Sequence, residues 1–281
     1  MAVGRAICIF LKLITFGLPA CRNSTFGPME DQIKSEGGFR YLEMGEGPVL
    51  LLLHGLFGAL SNFEDVINGF SGKYKVIVPL LPLYELPLKK TNVNNLAIFV
   101  RDFIKMKGLK DVTTLGNSLG GHVALVCAVD YPDNINRMIL TGSSGLYENS
   151  FGGGYPRKGD KEYLRKKIEI TFYDPKHATD DLVDECHHLV NDRNKLIRIL
   201  YFAKSAIRHN LKDDLPGIQI PTFLIWGEND TITPPEVAKE FDTLIPNSEL
   251  KWIAKCGHAP MMERPEEFNT LVREWLGQQL G

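Results

Sequence analysis

Val112-Thr113-Thr114-Leu115-Gly116-Asn117-Ser118-Leu119-Gly120-Gly121 runs from an apolar strand into a helix through a serine with glycine on both sides. The pattern predicts a strand over 112–115, a sharp turn at Ser118 and a helix over 119–131. Such a turn lifts a serine hydroxyl clear of the backbone, and glycine at the flanking positions avoids side-chain clashes. The amide of Leu119, at the helix N-terminus, then points to where an oxyanion would form. G-x-S-x-G alone is a weak signal; its place between strand and helix gives it weight.

Outward from this turn, short apolar runs at 49–53, 74–78, 138–140, 222–226 and 250–253 read as strands buried on both faces, after an earlier strand at 39–44. Helical patterns at 62–70, 93–106, 235–244 and 265–276 fall between them. Strand and helix in alternation predict an α/β domain with a mostly parallel central sheet flanked by helices. The alternation stops between Gly145 and Pro216, where 161–172, 180–191 and 195–208 read as helices behind the Gly152-Gly153-Gly154 passage. This block reads as a helical cap over the carboxyl ends of the strands, where ligands bind in open α/β sheets. The chain thus divides into an N-terminal extension (1–28), a first core part (29–145), the cap (146–215) and a second core part (216–281).

A serine needs a base, and the base needs a group to orient it. Cys256-Gly257-His258-Ala259-Pro260 follows the strand at 250–253, and Trp226-Gly227-Glu228-Asn229-Asp230 follows the one at 222–226. Ser118 as nucleophile, Asp230 as acid and His258 as base therefore come in the order Ser, Asp, His. Glu228 is the competing acid, at the tip of the Gly227 turn, whereas Asp230 reaches the loop before Pro234. A second oxyanion donor is expected from His54-Gly55-Leu56-Phe57-Gly58, with Leu56 as the donor and His54 as a turn-stabilising ring. His122 reads as packed, and His177, His187, His188 and His209 as surface groups of the cap.

Composition narrows the class. The 281 residues carry 32 basic and 34 acidic side chains, a net charge of -2, with no charge block that would suit nucleic acid. Five scattered cysteines, without C-x-x-C spacing, do not make a disulfide framework, and no zinc-type cluster is present, so neither metal nor cofactor is expected. Residues 7–18 are mostly apolar behind Arg5, and Leu18-Pro19-Ala20-Cys21 loosely resembles a lipoprotein cleavage box, yet Lys12 interrupts the run. Met29 begins a stretch that reads naturally as the start of a cytoplasmic enzyme. The expectation is a cytoplasmic protein, exported if 1–28 acts as a signal, with a run too short for a stable membrane span.

From about Phe39 to Leu276 the chain resembles α/β-hydrolase fold enzymes with a helical cap. Within them, Gly116-Asn117-Ser118-Leu119-Gly120-Gly121, Ser61-Asn62-Phe63 and Cys256-Gly257-His258 are similar to the meta-cleavage-product hydrolases, which cut carbon–carbon bonds. The resemblance implies Leu56 and Leu119 as oxyanion donors and places Asn62 and Asn117 by the pocket, with Phe57 a further substrate-binding candidate. Those enzymes usually keep an arginine in the cap and a tryptophan after the catalytic histidine; a rough alignment puts Cys186 and Ala259 there. The expected activity is hydrolysis of a small-molecule ester with a small or medium acyl group, through an acyl-enzyme. Carbon–carbon hydrolysis and a non-catalytic ligand receptor on the same fold are the alternatives.

Overall fold

The computed structural model describes residues 29–58, 60–149 and 159–280; the N-terminal apolar run and the glycines at 152–154 lie outside them. Eight strands form one sheet: β1 (Lys34–Glu36), β2 (Phe39–Met44), β3 (Val49–Leu53), β4 (Lys75–Pro79), β5 (Thr113–Asn117), β6 (Arg137–Thr141), β7 (Thr222–Gly227) and β8 (Ser248–Ile253). Their order is β1-β2-β4-β3-β5-β6-β7-β8, antiparallel as far as the β2–β4 pairing and parallel beyond it. Successive side chains of a strand point to opposite faces. Leu51, Leu53 and Ile77 accordingly enter one core while Leu50, Leu52, Val76 and Val78 enter the other.

Each face is covered by helices. Val66, Ile67 and Phe70 of α1 (Glu64–Phe70) pack one face with Phe268, Val272 and Trp275 of α9 (Pro265–Leu280). On the other, α2 (Val93–Lys107), α3 (Leu119–Asp130) and α7 (Pro235–Leu244) contribute Val100, Phe103, Val123, Val237 and Phe241. The helix α3 is buried on nearly all sides, which explains why its sequence shows no polar stripe. A short helix, α8 (Pro260–Glu263), follows the histidine loop.

Between β6 and β7 lie α4 (Lys161–Glu169), α5 (Asp180–Asn191) and α6 (Arg193–Arg208). Each starts on a side chain that satisfies its first free amides: Asp160 accepts from Tyr163, Thr179 from Leu182, and Asp192 from Asn194 and Lys195. Caps of this kind contribute about 1 kcal/mol each. The buried stripes, Leu164 and Ile168 on α4, Val183, Cys186 and Val190 on α5, and Ile199, Phe202, Ala203 and Ala206 on α6, recur at helical spacing.

Two of the departures from the sequence reading have clear physical reasons. The helix expected over 161–172 ends at Glu169, and the next residues turn back to bond the loops that follow β7 and β8. Strand β1 was not expected because Lys34-Ser35-Glu36 is a polar run; it is an exposed edge strand held by pairing to β2 and by ion pairs. Among the described residues no helix is long and apolar enough to cross a membrane.

Candidate active site

In the sheet order, β3 lies between β4 and β5, so the crossovers leave it on opposite sides and open a crevice at its carboxyl end. Leu53 of β3 pairs with Gly116 of β5, which sets the His54–Gly58 turn beside the serine turn. Ser118 itself holds φ 55° and ψ −121°, a sparsely populated backbone state that costs on the order of 1–3 kcal/mol. Packing enforces it. A Cβ on Gly120 would collide with the carbonyl of Leu53, and one on Gly116 would lie 2.6 Å from the Cα of Gly121. The Ser118 amide donates to Thr141 O at 3.2 Å, and its carbonyl accepts from His122 N at 3.1 Å and Ser144 N at 3.3 Å.

At the far side of the crevice, β7 and β8 pair Gly227 with Ile253, so the loops that follow them are neighbours. His258 Nδ1 lies 2.9 Å from Asp230 Oδ2. Asp230 is 3% exposed, and its other oxygen accepts from Ile232 N (2.8 Å) and Thr233 N (2.9 Å). Thr233 Oγ1 donates to Oδ2 at 2.7 Å. Such a carboxylate accepts only, so Nδ1 carries the proton and Nε2 is left basic toward the crevice. Burial alone would lower the histidine pKa, but the charge and hydrogen bond of Asp230, with smaller effects of Glu148 and Glu263, leave it raised above 6.5. Glu228, two residues before Asp230, is exposed.

Ser118 and His258 line one cavity of about 190 Å³ with Leu56, Phe57, Asn62, Asn117 and Leu119. Its roof is Leu164, Lys167 and Ile168 of α4, Leu182 and Cys186 of α5, and Ala203 and Ala206 of α6. All the candidate residues other than Asp230 thus meet at one surface, and Asp230 stands directly behind His258. Asn117 is also a brace, its Nδ2 donating to Thr141 O (3.0 Å) and His258 O (3.2 Å). The Cys186 thiol is pushed up to about 12 by burial, with the Glu185 charge adding, and stays protonated.

His54 is fully occupied in the turn, with Nε2 accepting from Leu81 N and Nδ1 donating to Gly55 O, both at 3.0 Å. The loop after β4, Leu81-Pro82-Leu83-Tyr84-Glu85-Leu86-Pro87, reaches back through Tyr84 Oη to Leu56 O (3.5 Å) and accepts Arg198 of α6 at Leu86 O (3.0 Å). His209, read from sequence as a surface group, instead stacks on buried His122, Nδ1 to Nε2 at 3.0 Å, while His122 Nδ1 meets Ser144 Oγ at 3.2 Å. The sequence reading also missed Thr233 and Lys167. Asp-x-x-Thr at 230–233 is a local side-chain-to-backbone turn signature that could have revealed the first; nothing local marks which cap cation faces inward. Arg165 is held by Ala178 O and Asp180, and Arg193 and Arg208 are exposed.

A family model described as serine aminopeptidase, S33, matches residues 87–265 of the chain, over half its length. The chain belongs to this α/β-hydrolase family. The hydrolase is 45% identical to the crystal structure of an alpha/beta hydrolase enzyme from a sediment metagenome of the Mar Chica lagoon, Morocco, with TM-score 0.74 over 89% of this chain and 99% of that one. It is 27% identical over 263 residues to the 2-hydroxy-6-oxononadienedioate/2-hydroxy-6-oxononatrienedioate hydrolase of a Pseudomonas species, covering 86% of this chain and 93% of that protein. It is likewise 27% identical over 282 residues to the 2-hydroxy-6-oxo-6-phenylhexa-2,4-dienoate hydrolase of Comamonas testosteroni, covering 91% and 97%.

Proposed function

We propose that the hydrolase cleaves a carboxylic ester of a small or medium acyl group through an acyl-enzyme. Ser118 Oγ attacks the carbonyl carbon while His258 Nε2 takes its proton, and Asp230 holds the imidazole tautomer. The amides of Leu56 and Leu119 stabilise the tetrahedral oxyanion; its collapse expels the alcohol, protonated by His258, and water then repeats the sequence on the acyl-enzyme. The observation that carries this reading is the shape of the cavity. Its wall is mostly apolar, with Leu164, Ile168, Phe172, Leu182 and Cys186 beside the charged Glu148 and Lys167, and its 190 Å³ lies below the roughly 300–1,000 Å³ of sites for drug-sized ligands.

Carbon–carbon hydrolysis is the second reading, supported by the names of the Pseudomonas and Comamonas relatives and by Lys167 on the cavity wall. A dienoate brings a carboxylate that must be paired as it leaves water. Comparing kcat/KM across p-nitrophenyl esters of increasing acyl length with that for a meta-cleavage dienoate tests the two. Esters of short acyl groups are expected to be turned over and the dienoate little or not at all. A dienoate constant above every ester would overturn the ester reading.

A further inference from the structure

The turn after α4, residues 170–174, is fastened to the catalytic loops at several points. Thr231 Oγ1, on the loop of the acid, donates to Ile170 O at 2.7 Å. The backbone N–H of His258 donates to Thr171 O at 2.8 Å. Glu263, 6% exposed at the end of α8, completes the junction with one oxygen for each side. Its Oε1 accepts from Gly257 N at 2.7 Å, and its Oε2 accepts from Tyr173 N at 2.8 Å and, more weakly, Asp174 N at 3.4 Å. Burying a carboxylate is costly unless donors meet it, and bonds to a charged acceptor are shorter and stronger than neutral ones.

The two backbones are in direct contact here. A Cβ on Gly257 would stand 2.6 Å from Thr171 O, 2.9 Å from Tyr173 N and 3.0 Å from Glu263 Oε1. The same turn gives Thr171 and Phe172 to the cavity wall. Whatever presses on that wall therefore presses on the loop of the histidine.

We propose that Glu263 is a positioning residue: it locks the 170–174 turn of the cap to the Gly257–His258 backbone, so that the cap as well as the core sets where His258 stands over Ser118. The proposal rests on the serine–histidine assignment above, though not on the choice of substrate. A fluorophosphonate separates the two questions, because its reaction needs only the nucleophile and base. Ser118 Oγ attacks phosphorus, fluoride leaves and His258 takes the proton.

Glu263→Gln keeps one acceptor oxygen and turns an NH2 toward a backbone N–H, which breaks one of the two links. In the full chain, the labelling rate constant, counted per site that finally labels, is expected to fall about 10- to 100-fold, the scale of a misplacement near 1 Å. KM for p-nitrophenyl acetate should change by less than about threefold, since the cavity wall keeps its side chains. Gly257→Ala wedges the same junction with the carboxylate intact; it should give a loss of the same order, and the double variant should be no slower than the slower single one. A per-site rate within about twofold of wild type in either folded variant would overturn the proposal, as would a loss confined to the fraction of sites that label. Failure of both variants to fold would reduce the junction to a requirement of folding and overturn it too. Wild-type labelling without ester turnover would instead count against the ester reading alone.

Discussion

The floor and the roof of the cavity are built on different principles. On the floor, Asp230, Asn117 and the backbone around Ser118 are held by hydrogen bonds of 2.7–3.3 Å, to near neighbours in sequence at Asp230 and to distant segments at Asn117 and Ser118. On the roof, α4, α5 and α6 present mostly apolar side chains at helical spacing, and bonds to the core are made by Arg198 and Ser205 of α6 and by Ile170 just past α4. The difference teaches where tolerance lies. A buried polar group that loses its partner leaves another unsatisfied, whereas an apolar contact can repack at modest cost. The floor should therefore fix what reaction occurs, and the roof which acyl group is accepted.

The largest effect that could break this contrast lies at the nucleophile. Ser118→Ala should leave a folded protein whose p-nitrophenyl acetate kcat has fallen roughly 10⁴- to 10⁶-fold. Stoichiometric fluorophosphonate labelling of that variant would end the assignment.

Next comes the acid. Asp230→Asn should cost about 10⁴-fold in kcat through the wrong imidazole tautomer, while exposed Glu228→Gln should cost less than about threefold. In the proposed mechanism His258 is a base when neutral, so its raised pKa puts the acid limb of kcat/KM above pH 6.5, with activity lost as pH falls through it. An acid limb at or below pH 6.5 would mean that Asp230 does not act on the ring as described.

The roof should give smaller and more selective changes. Ile168→Ala is expected to shift the preferred ester by about one or two carbons, with kcat/KM ratios between acyl lengths moving about tenfold. A uniform loss across all lengths would place Ile168 with the floor.

The smallest effect concerns the seam where roof meets floor at His122. Burial, with nearby His209 adding, pushes its pKa down to about 3. The unfolded chain takes up that proton near pH 6.5, so the stability from neutral His122 is full above 6.5 and is lost as pH falls toward 3. In a His122→Gln variant the decline of Tm over that interval should be shallower by a few degrees than in wild type. An identical decline would show that other groups set acid stability.

The same contrast explains what could be read from the chain alone. Strand–turn–helix patterning made the serine turn and the parallel sheet legible because close packing demands glycine there, at Gly116 against Gly121 and at Gly120 against Leu53 of the neighbouring strand. Asp230 was legible as a candidate because it follows a buried strand on the loop before Pro234, in the chain order Ser, Asp, His. Glu263 was not, since its partners at Tyr173 and Asp174 are some 90 residues away and the residue itself sits in an unremarked acidic stretch. Lys167 was missed for a related reason: helical periodicity tells which face of α4 is buried, but not which long side chain at the edge of that face borders the cavity.

The two margins of the sheet have a consequence for the protein's behaviour at high concentration. At one margin β1 is three residues long, Lys34, Ser35 and Glu36, backed by Glu43 and Lys107 in ion pairs. At the other, β8 carries the Glu249–Lys251 pair. Unpaired strand edges are templates for another chain, and charge on a short edge makes that pairing costly. The hydrolase should thus resist strand-to-strand stacking when concentrated, and substituting Lys34 and Glu36 with valine should bring on turbidity at protein concentrations where the unaltered chain stays clear.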